Sequence, residues 1–209
     1  FIADGADLAV FSGGKAIRGP QGTGILCGRR DLVASAALQQ LDMDVRPETW
    51  RPPDLYRRQE TLRGIPHHGI GRGFKVGKEE IVGLLVALER FATLDHAAEQ
   101  ARQEALLLAI RNRLADSPHI RARLLPAAET GRDPLLELRV DETALGLSAF
   151  ALSLGLQQGE PPVHLGERNA AQGVLIVNPV GLREGDAETI ATRLRSALHG
   201  KHPGGTRTA

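Results

Sequence analysis

The 209-residue sequence has little sulfur and few aromatic rings: one Cys, one Met, one Trp, one Tyr and five Phe. A single cysteine, Cys27, excludes an internal disulfide framework, so a reducing interior suits the chain better than a secreted scaffold. Long apolar runs are also missing. The stretch from Ile81 to Leu88 is among the longest and falls far short of the ~20 residues of a membrane span, and no secretory pattern precedes it. Nor is there an excess of one charge: 26 basic against 25 acidic residues leave +1, which argues against the dense basic face of a nucleic-acid binder. The expected class is a soluble, cytoplasmic protein of one or two modest domains.

Lysine is the scarcest charged residue. Only Lys15, Lys75, Lys78 and Lys201 are lysines, leaving 22 of the 26 basic residues as arginine. Arginine stays protonated, whereas a lysine amine can shed its proton and attack a carbonyl, so a retained lysine invites a chemical reading. Codon bias with leftover lysines is the alternative. The sequence also opens at Phe1 with no initiator Met, its sole Met being Met43, and reads as a fragment.

Two short apolar runs come first, Asp7 to Phe11 and Gly22 to Gly28. They read as buried strands of a sheet covered on both faces, with Lys15 on the loop between them. A helix over Asp31 to Leu41 would cover one face. From Asp42 to Phe74, prolines and alternating glycines predict a long loop with at most a short helix around Leu55 to Leu62. Between Val45 and Lys78, eight basic and three acidic residues give +5, which directs this segment at an anion or a partner subunit.

Glu79 to Phe91 shows an amphipathic stripe of Ile81, Leu84, Leu85 and Leu88, and a second helix is expected over Leu94 to Leu114 with Thr93 as its cap. The remainder reads as strands at Ile120 to Leu125, Leu135 to Val140, Val163 to Leu165 and Gly173 to Val177. Helices are expected at Leu147 to Leu156 and, with Asp186 as N-cap, at Ala187 to Leu198. This is a small α/β layer with a mostly antiparallel sheet. The boundaries expected are 1–92 for a first domain, 93–199 for a second, and a disordered tail over 200–209.

The densest cluster of chemistry is Ser12-Gly13-Gly14-Lys15-Ala16-Ile17-Arg18-Gly19-Pro20-Gln21-Gly22-Thr23-Gly24. It is not a P-loop, because the first glycine position and the hydroxyl position of that motif hold Ala9 and Ala16. Gly69, Gly71 and Phe74 likewise miss the dinucleotide fingerprint at its last glycine. A strand end followed by a hydroxyl, two glycines and a lysine does offer what a pyridoxal phosphate site needs: amides and a hydroxyl for a phosphate, and an amine for an aldehyde. On spacing alone, a glycine-rich hairpin with an exposed lysine accounts for the same residues.

The run from Gly5 to Gln21 resembles the lysine segment of selenocysteine synthase-like and D-glucosaminate-6-phosphate ammonia-lyase-like pyridoxal phosphate enzymes of fold type I. Two further stretches are similar to the same group: His68 to Arg72 with Lys75 to Glu80, and Asn178 to Asp186. The resemblance implies the end of a large cofactor-binding domain followed by a small carboxyl-terminal α/β domain. It also implies pyridoxal 5'-phosphate as cofactor, and a small amino acid or amino sugar acid as substrate. A homodimer or higher homo-oligomer would build its site at a subunit interface.

Under that resemblance, Lys15 would form the internal aldimine and act as base at the α-carbon, and Ser12 would contact the cofactor phosphate. Many relatives have His where this chain has Gly14, so a second phosphate donor would come from backbone or a partner. Arg18 and Gln21 would line the cofactor site, while His68, Arg72 and Arg183 would bind substrate. His68 and Arg183 each have a plain alternative: a solvated or capping loop histidine, and a turn arginine paired with Glu184 or Asp186. No metal site is expected, because no carboxylate or cysteine cluster accompanies His67 and His68. The expected reaction is β-elimination with ammonia release, with selenium transfer to seryl-tRNA or a non-catalytic homologue as the rivals. The aspartate that such enzymes place on the pyridine nitrogen is expected outside this sequence.

Overall fold

Leu8–Ser12 forms strand β1 and Gly24–Gly28 forms strand β2, an antiparallel pair in register from Leu8 with Gly28 to Ser12 with Gly24. The computed structural model describes residues 1–46, 48–54 and 65–199, and the chain divides into two units, Phe1–Leu94 and Asp95–Ala209. The helix expected at Leu55 to Leu62 and the tail after His199 lie outside the described residues.

In the first unit, helix α1 (Arg30–Leu38) packs against β2. Arg29, just before it, bridges Asp7 at 3.1 Å and Asp31 at 2.8 Å. The hydrogen bonds from Arg29 hold the Asp31 carboxyl below the usual carboxylate range. All three side chains are exposed, so the pairing positions the helix start more than it stabilises the fold. Beyond α1 the chain leaves and returns. The Met43 amide donates to the Pro66 carbonyl at 3.0 Å, Gly69 to Leu41 at 3.2 Å and Gly71 to Gln39 at 2.8 Å. Those carbonyls at and beyond the helix end lack intrahelical partners, and the returning strap satisfies them. A Cβ on Gly69 would collide with the Gln39 carbonyl oxygen, which explains glycine at this point of the strap.

The strands are not covered on both faces as their composition predicts. Among the described residues Val10 remains 75% exposed and Phe11 43%. The physical reason is the small number of layers: α1 covers part of β2, and helix α2 (Lys78–Thr93) seats on the loop between the strands instead of on their faces. The contact face of α2 is Gly83, Leu84 and Ala87, against Pro20, Gly13 and Gly19. Of the expected stripe, Leu84 and Leu88 are half-buried, whereas Ile81 and Leu85 are exposed.

The second unit begins with helix α3 (His96–Arg113), which buries Leu107 and Ile110, with Leu114 buried just beyond its end. Its cap is Asp95, whose carboxylate accepts from the Ala98 amide at 3.0 Å. Thr93 is not the cap; it is the last residue of α2, and its hydroxyl donates back to the Glu89 carbonyl at 2.9 Å. Strands β3 (Ile120–Leu125) and β4 (Leu135–Val140) have the bounds expected of them, joined through a short helix α4 (Ala127–Thr130) and the turn to Pro134. A one-turn helix α5 (Glu142–Leu145), capped by Asp141, precedes helix α6 (Ala149–Gln157), capped by Ser148.

Strand β5 (Val174–Val177) completes an antiparallel sheet of order β3-β4-β5. The strand expected at Val163 to Leu165 does not form, and only Gly166 makes a bridge, to Ile176. Pro161 and Pro162 remove two donors there. Glu167 instead accepts from Ser153 at 2.7 Å and Gln157 at 2.8 Å, pinning this segment to α6. Helix α7 (Asp186–His199) starts one residue before the expected bound, with Asp186 inside the helix and its carboxylate accepting from the Arg183 amide at 2.7 Å. One face of the sheet, with Leu136, Leu138, Leu175 and Val177, packs with α3, α6 and α7 into one apolar core.

The capping assignment predicts that Asp95→Ala lowers stability by about 1 kcal/mol in chemical denaturation, because an orphan helix amide loses its acceptor. Thr93→Ala should change it by less than half as much.

Candidate active site

The loop between β1 and β2 is tightly determined. Gly13 donates to the Thr23 carbonyl at 3.0 Å, closing the base. Across the loop, Gly19 donates to the Gly13 carbonyl at 2.9 Å, and Arg18 donates to the Lys15 carbonyl at 2.9 Å, forming the turn that carries the lysine. Ile17 is buried beneath that turn, and buried Thr23 donates its hydroxyl to the Pro20 carbonyl at 2.6 Å. The Gln21 side-chain amide donates to the Gly14 carbonyl at 2.9 Å.

Side chains leave no room at the two glycines. A Cβ on Gly14 would lie 2.6 Å from the Gln21 Cα, and one on Gly13 would lie 2.6 Å from the Leu84 Cδ1 and collide with Thr23. Gly13 and Gly14 are therefore close-approach glycines that let α2 and the 20–23 segment clamp the turn. Arg18 has φ 61°, in the left-handed region where a non-glycine residue is uncommon, so this turn also carries backbone strain.

The outcome is a fixed backbone with an exposed lysine at its tip. Among the described residues the Lys15 amine makes no hydrogen bond or ion pair, and the same holds for the Ser12 hydroxyl and for the amides of Gly14, Lys15 and Ala16. One amine, one hydroxyl and a short row of open amides on a rigid loop form a donor set for a phosphate and an aldehyde, so the residues present fit pyridoxal phosphate. Gln21 has its amide nitrogen engaged in holding the loop, which makes it first a positioning residue.

Ser12, Gly14, Lys15, Arg18 and Gln21 thus share one loop. His68 and Arg72 lie on the strap along the end of α1; the His68 amide donates to the Asp42 carboxylate at 3.1 Å, and His68 has φ 49°. Among the described residues no hydrogen bond or ion pair joins either of them to Lys15. Arg183 belongs to the second unit, and neither Glu184 nor Asp186 pairs with its guanidinium; Asp186 takes its backbone amide instead. Cys27 is half-buried in β2, its thiol 3.7 Å from the Ala9 carbonyl. No group of three or more potential metal-ligating side chains occurs among the described residues. Sequence reasoning missed Ile17, Thr23 and Leu84 as the residues that shape the lysine turn. The Gly-Thr-Gly spacing at 22–24 was the one signal for Thr23.

The aminotransferase class-V family matches residues 3–144, the span that carries the lysine loop and the first part of the second unit. The chain belongs to the aminotransferase class-V family. This is a family of pyridoxal phosphate enzymes, and the fold type I architecture expected from the lysine segment stands with it. Among curated relatives, a 5'-C-glycyluridine monooxygenase-decarboxylase from Streptomyces sp is 30% identical over 100% of this chain and 46% of its own length. A D-glucosaminate-6-phosphate ammonia lyase from Salmonella typhimurium (strain 14028s / SGSC 2262) is 30% identical over 93% of this chain and 44% of its own. A solved structure of D-glucosaminate-6-phosphate ammonia-lyase superposes with a TM-score of 0.65 at 26% identity, covering 94% of this chain and 45% of that one. The class-V chain described here thus spans a little under half the length of these relatives. No helix among its described residues is long and apolar enough to cross a membrane.

The close-approach reading predicts that Gly14→Ala destabilises the first unit by about 1–3 kcal/mol, since the added methyl meets the Gln21 Cα, which cannot swing aside, as well as the Gln21 side-chain amide that holds the turn. Gly22→Ala, in the same loop with nothing within 4 Å of the new Cβ, should stay within about 0.5 kcal/mol of the parent in the same denaturation series.

Proposed function

We propose that this chain supplies the lysine loop and the small domain of a pyridoxal phosphate-dependent lyase acting on a small amino acid or amino sugar acid, such as D-glucosaminate 6-phosphate. The observation that carries the reading is the rigid turn holding Lys15 exposed beside the Ser12 hydroxyl and open amides. In this reading residues 1–92 are the end of the large cofactor-binding domain and 93–199 the small domain. The working enzyme is a cytoplasmic homodimer or higher homo-oligomer. The +5 charge of the 45–78 segment suits a phosphorylated, acidic substrate.

When bound, pyridoxal phosphate supplies an electron sink for negative charge developing at the substrate α-carbon. The chain's own residues do the rest. The Ser12 hydroxyl and the amides of Gly14 to Ala16 donate to the phosphate, fixing the cofactor relative to the turn. The Lys15 Nζ, once free of the cofactor, takes the proton from the α-carbon and holds it within reach of the group that leaves. Gln21 keeps the turn in shape through Gly14, and Arg18 flanks it. His68 and Arg72 receive the anionic end of the substrate, and Arg183 its carboxylate.

A second reading is oxygen-dependent decarboxylation of an amino acid, favoured by the monooxygenase-decarboxylase that aligns with the whole of this chain. It uses the same lysine but releases carbon dioxide and consumes oxygen. Selenium transfer to seryl-tRNA is the weaker rival, since a net charge of +1 gives little purchase on a phosphate backbone.

Borohydride reduction of the full-length protein with pyridoxal phosphate should fix the cofactor on the Lys15 peptide by mass spectrometry. Lys15→Ala should abolish that adduct and lower turnover by at least about a thousandfold. An adduct on any other lysine, or none, removes both readings. Ammonia release from amino sugar acids without oxygen uptake supports the lyase, whereas carbon dioxide release coupled to oxygen uptake supports the second reading.

A further inference from the structure

The second unit carries a charge arrangement that the lysine loop does not use. In the β3-β4 register Arg121 is the direct cross-strand partner of Arg139, on the sheet face opposite the apolar core. Side chains so placed have Cβ atoms roughly 4.5–5.5 Å apart, and like charges there repel. The neighbouring Arg123 is neutralised by Glu129 at 3.0 Å and approaches Glu137 at 3.9 Å. Arg139 has only that same Glu137 oxygen, also at 3.9 Å, and Arg121 has no carboxylate partner among the described residues.

Arg121 and Arg139 line a cavity of about 420 Å³, together with His119, Asp141, Glu142 and Gln172. Of its two carboxylates, Asp141 accepts from the Ala144 amide at 3.0 Å and Glu142 from the Ala149 amide at 2.7 Å, and neither is paired with Arg121 or Arg139. Among the described residues the His119 Nδ1 is buried with no hydrogen-bond partner, an arrangement that costs free energy. Two cross-strand guanidiniums, neither closer than 3.9 Å to a carboxylate among the described residues, thus stand at a cavity whose wall includes the His119 ring.

We propose that this cavity binds the phosphoryl group of a small molecule or free phosphate, gripped by the Arg121 and Arg139 forks and closed on one side by His119. A doubly charged tetrahedral anion relieves the Arg-Arg repulsion and accepts several guanidinium hydrogen bonds at once. The assignment stands independently of the role given to Lys15.

Inorganic phosphate titrated into the full-length protein at constant ionic strength should shift the His119 imidazole resonances saturably. Arg121→Gln and Arg139→Gln should each weaken the apparent affinity at least tenfold. Without phosphate, Arg121→Gln should melt no lower than the parent, because a like-charge pair is gone. Arg121→Lys, which keeps the charge and loses the fork, should fall between. Glucose 6-phosphate in a parallel arm separates the sources: tighter binding than inorganic phosphate marks a phosphate ester, weaker binding the free ion. Equal phosphate responses in the parent and both glutamine variants overturn the proposal. So does a response lost in Ser12→Ala and kept in Arg121→Gln, which would locate the anion at the lysine loop.

Discussion

The first unit depends on how closely two pieces of backbone approach each other at Gly13 and Gly14. With no Cβ at either position, Leu84 and Thr23 press on one glycine and Gln21 on the other, while Gly19 crosses back to the Gly13 carbonyl. The turn bearing Lys15 inherits its shape from that clamp. A flexible loop would pay ordering entropy each time the amine had to be aligned, whereas this one has met that cost on folding. The strained φ of Arg18 belongs to the same economy of space, because the turn has to close within a few residues.

The second unit is organised by a different rule. Its sheet has one apolar face sealed by three helices and one polar face left open, so burial and charge alternate along β3 and β4. The same period of two that buries Leu136 and Leu138 delivers Arg121, Arg123, Glu137 and Arg139 to a common surface. Core and surface chemistry are therefore one decision made once per residue pair.

Much of this was legible in the sequence. The bounds of β3 and β4 were read from the sequence as they stand, and the fold type I architecture from the lysine segment with its two companion motifs. What escaped has identifiable causes. Thr93 and Asp95 are both capping types two residues apart, and only the geometry shows which one faces an open amide. Val163 to Leu165 has strand composition, but the preceding prolines and the pull of Glu167 on Ser153 and Gln157 decide otherwise. The apolar stripe of α2 was visible, yet its contact face follows from the small residues Gly83 and Ala87, which periodicity weighs too lightly. The glycines at 69 and 71 resembled a nucleotide motif and instead give carbonyls close approach. For the candidate site, residue types pointed to the lysine loop, while Ile17 and Thr23, which hold it, have nothing chemical about them.

The strap that returns to the end of α1 has a further consequence. The hydrogen bond from Met43 to Pro66 brings the two ends of the intervening segment together, and the Gly69 and Gly71 bonds lock the junction behind it. The two ends of that segment are therefore held at a clasp beside the end of α1. Doubling a loop adds only about 0.6 kcal/mol of closure cost. A longer intervening stretch would therefore cost the clasp little, provided that the Met43, Gly69 and Gly71 bonds are kept.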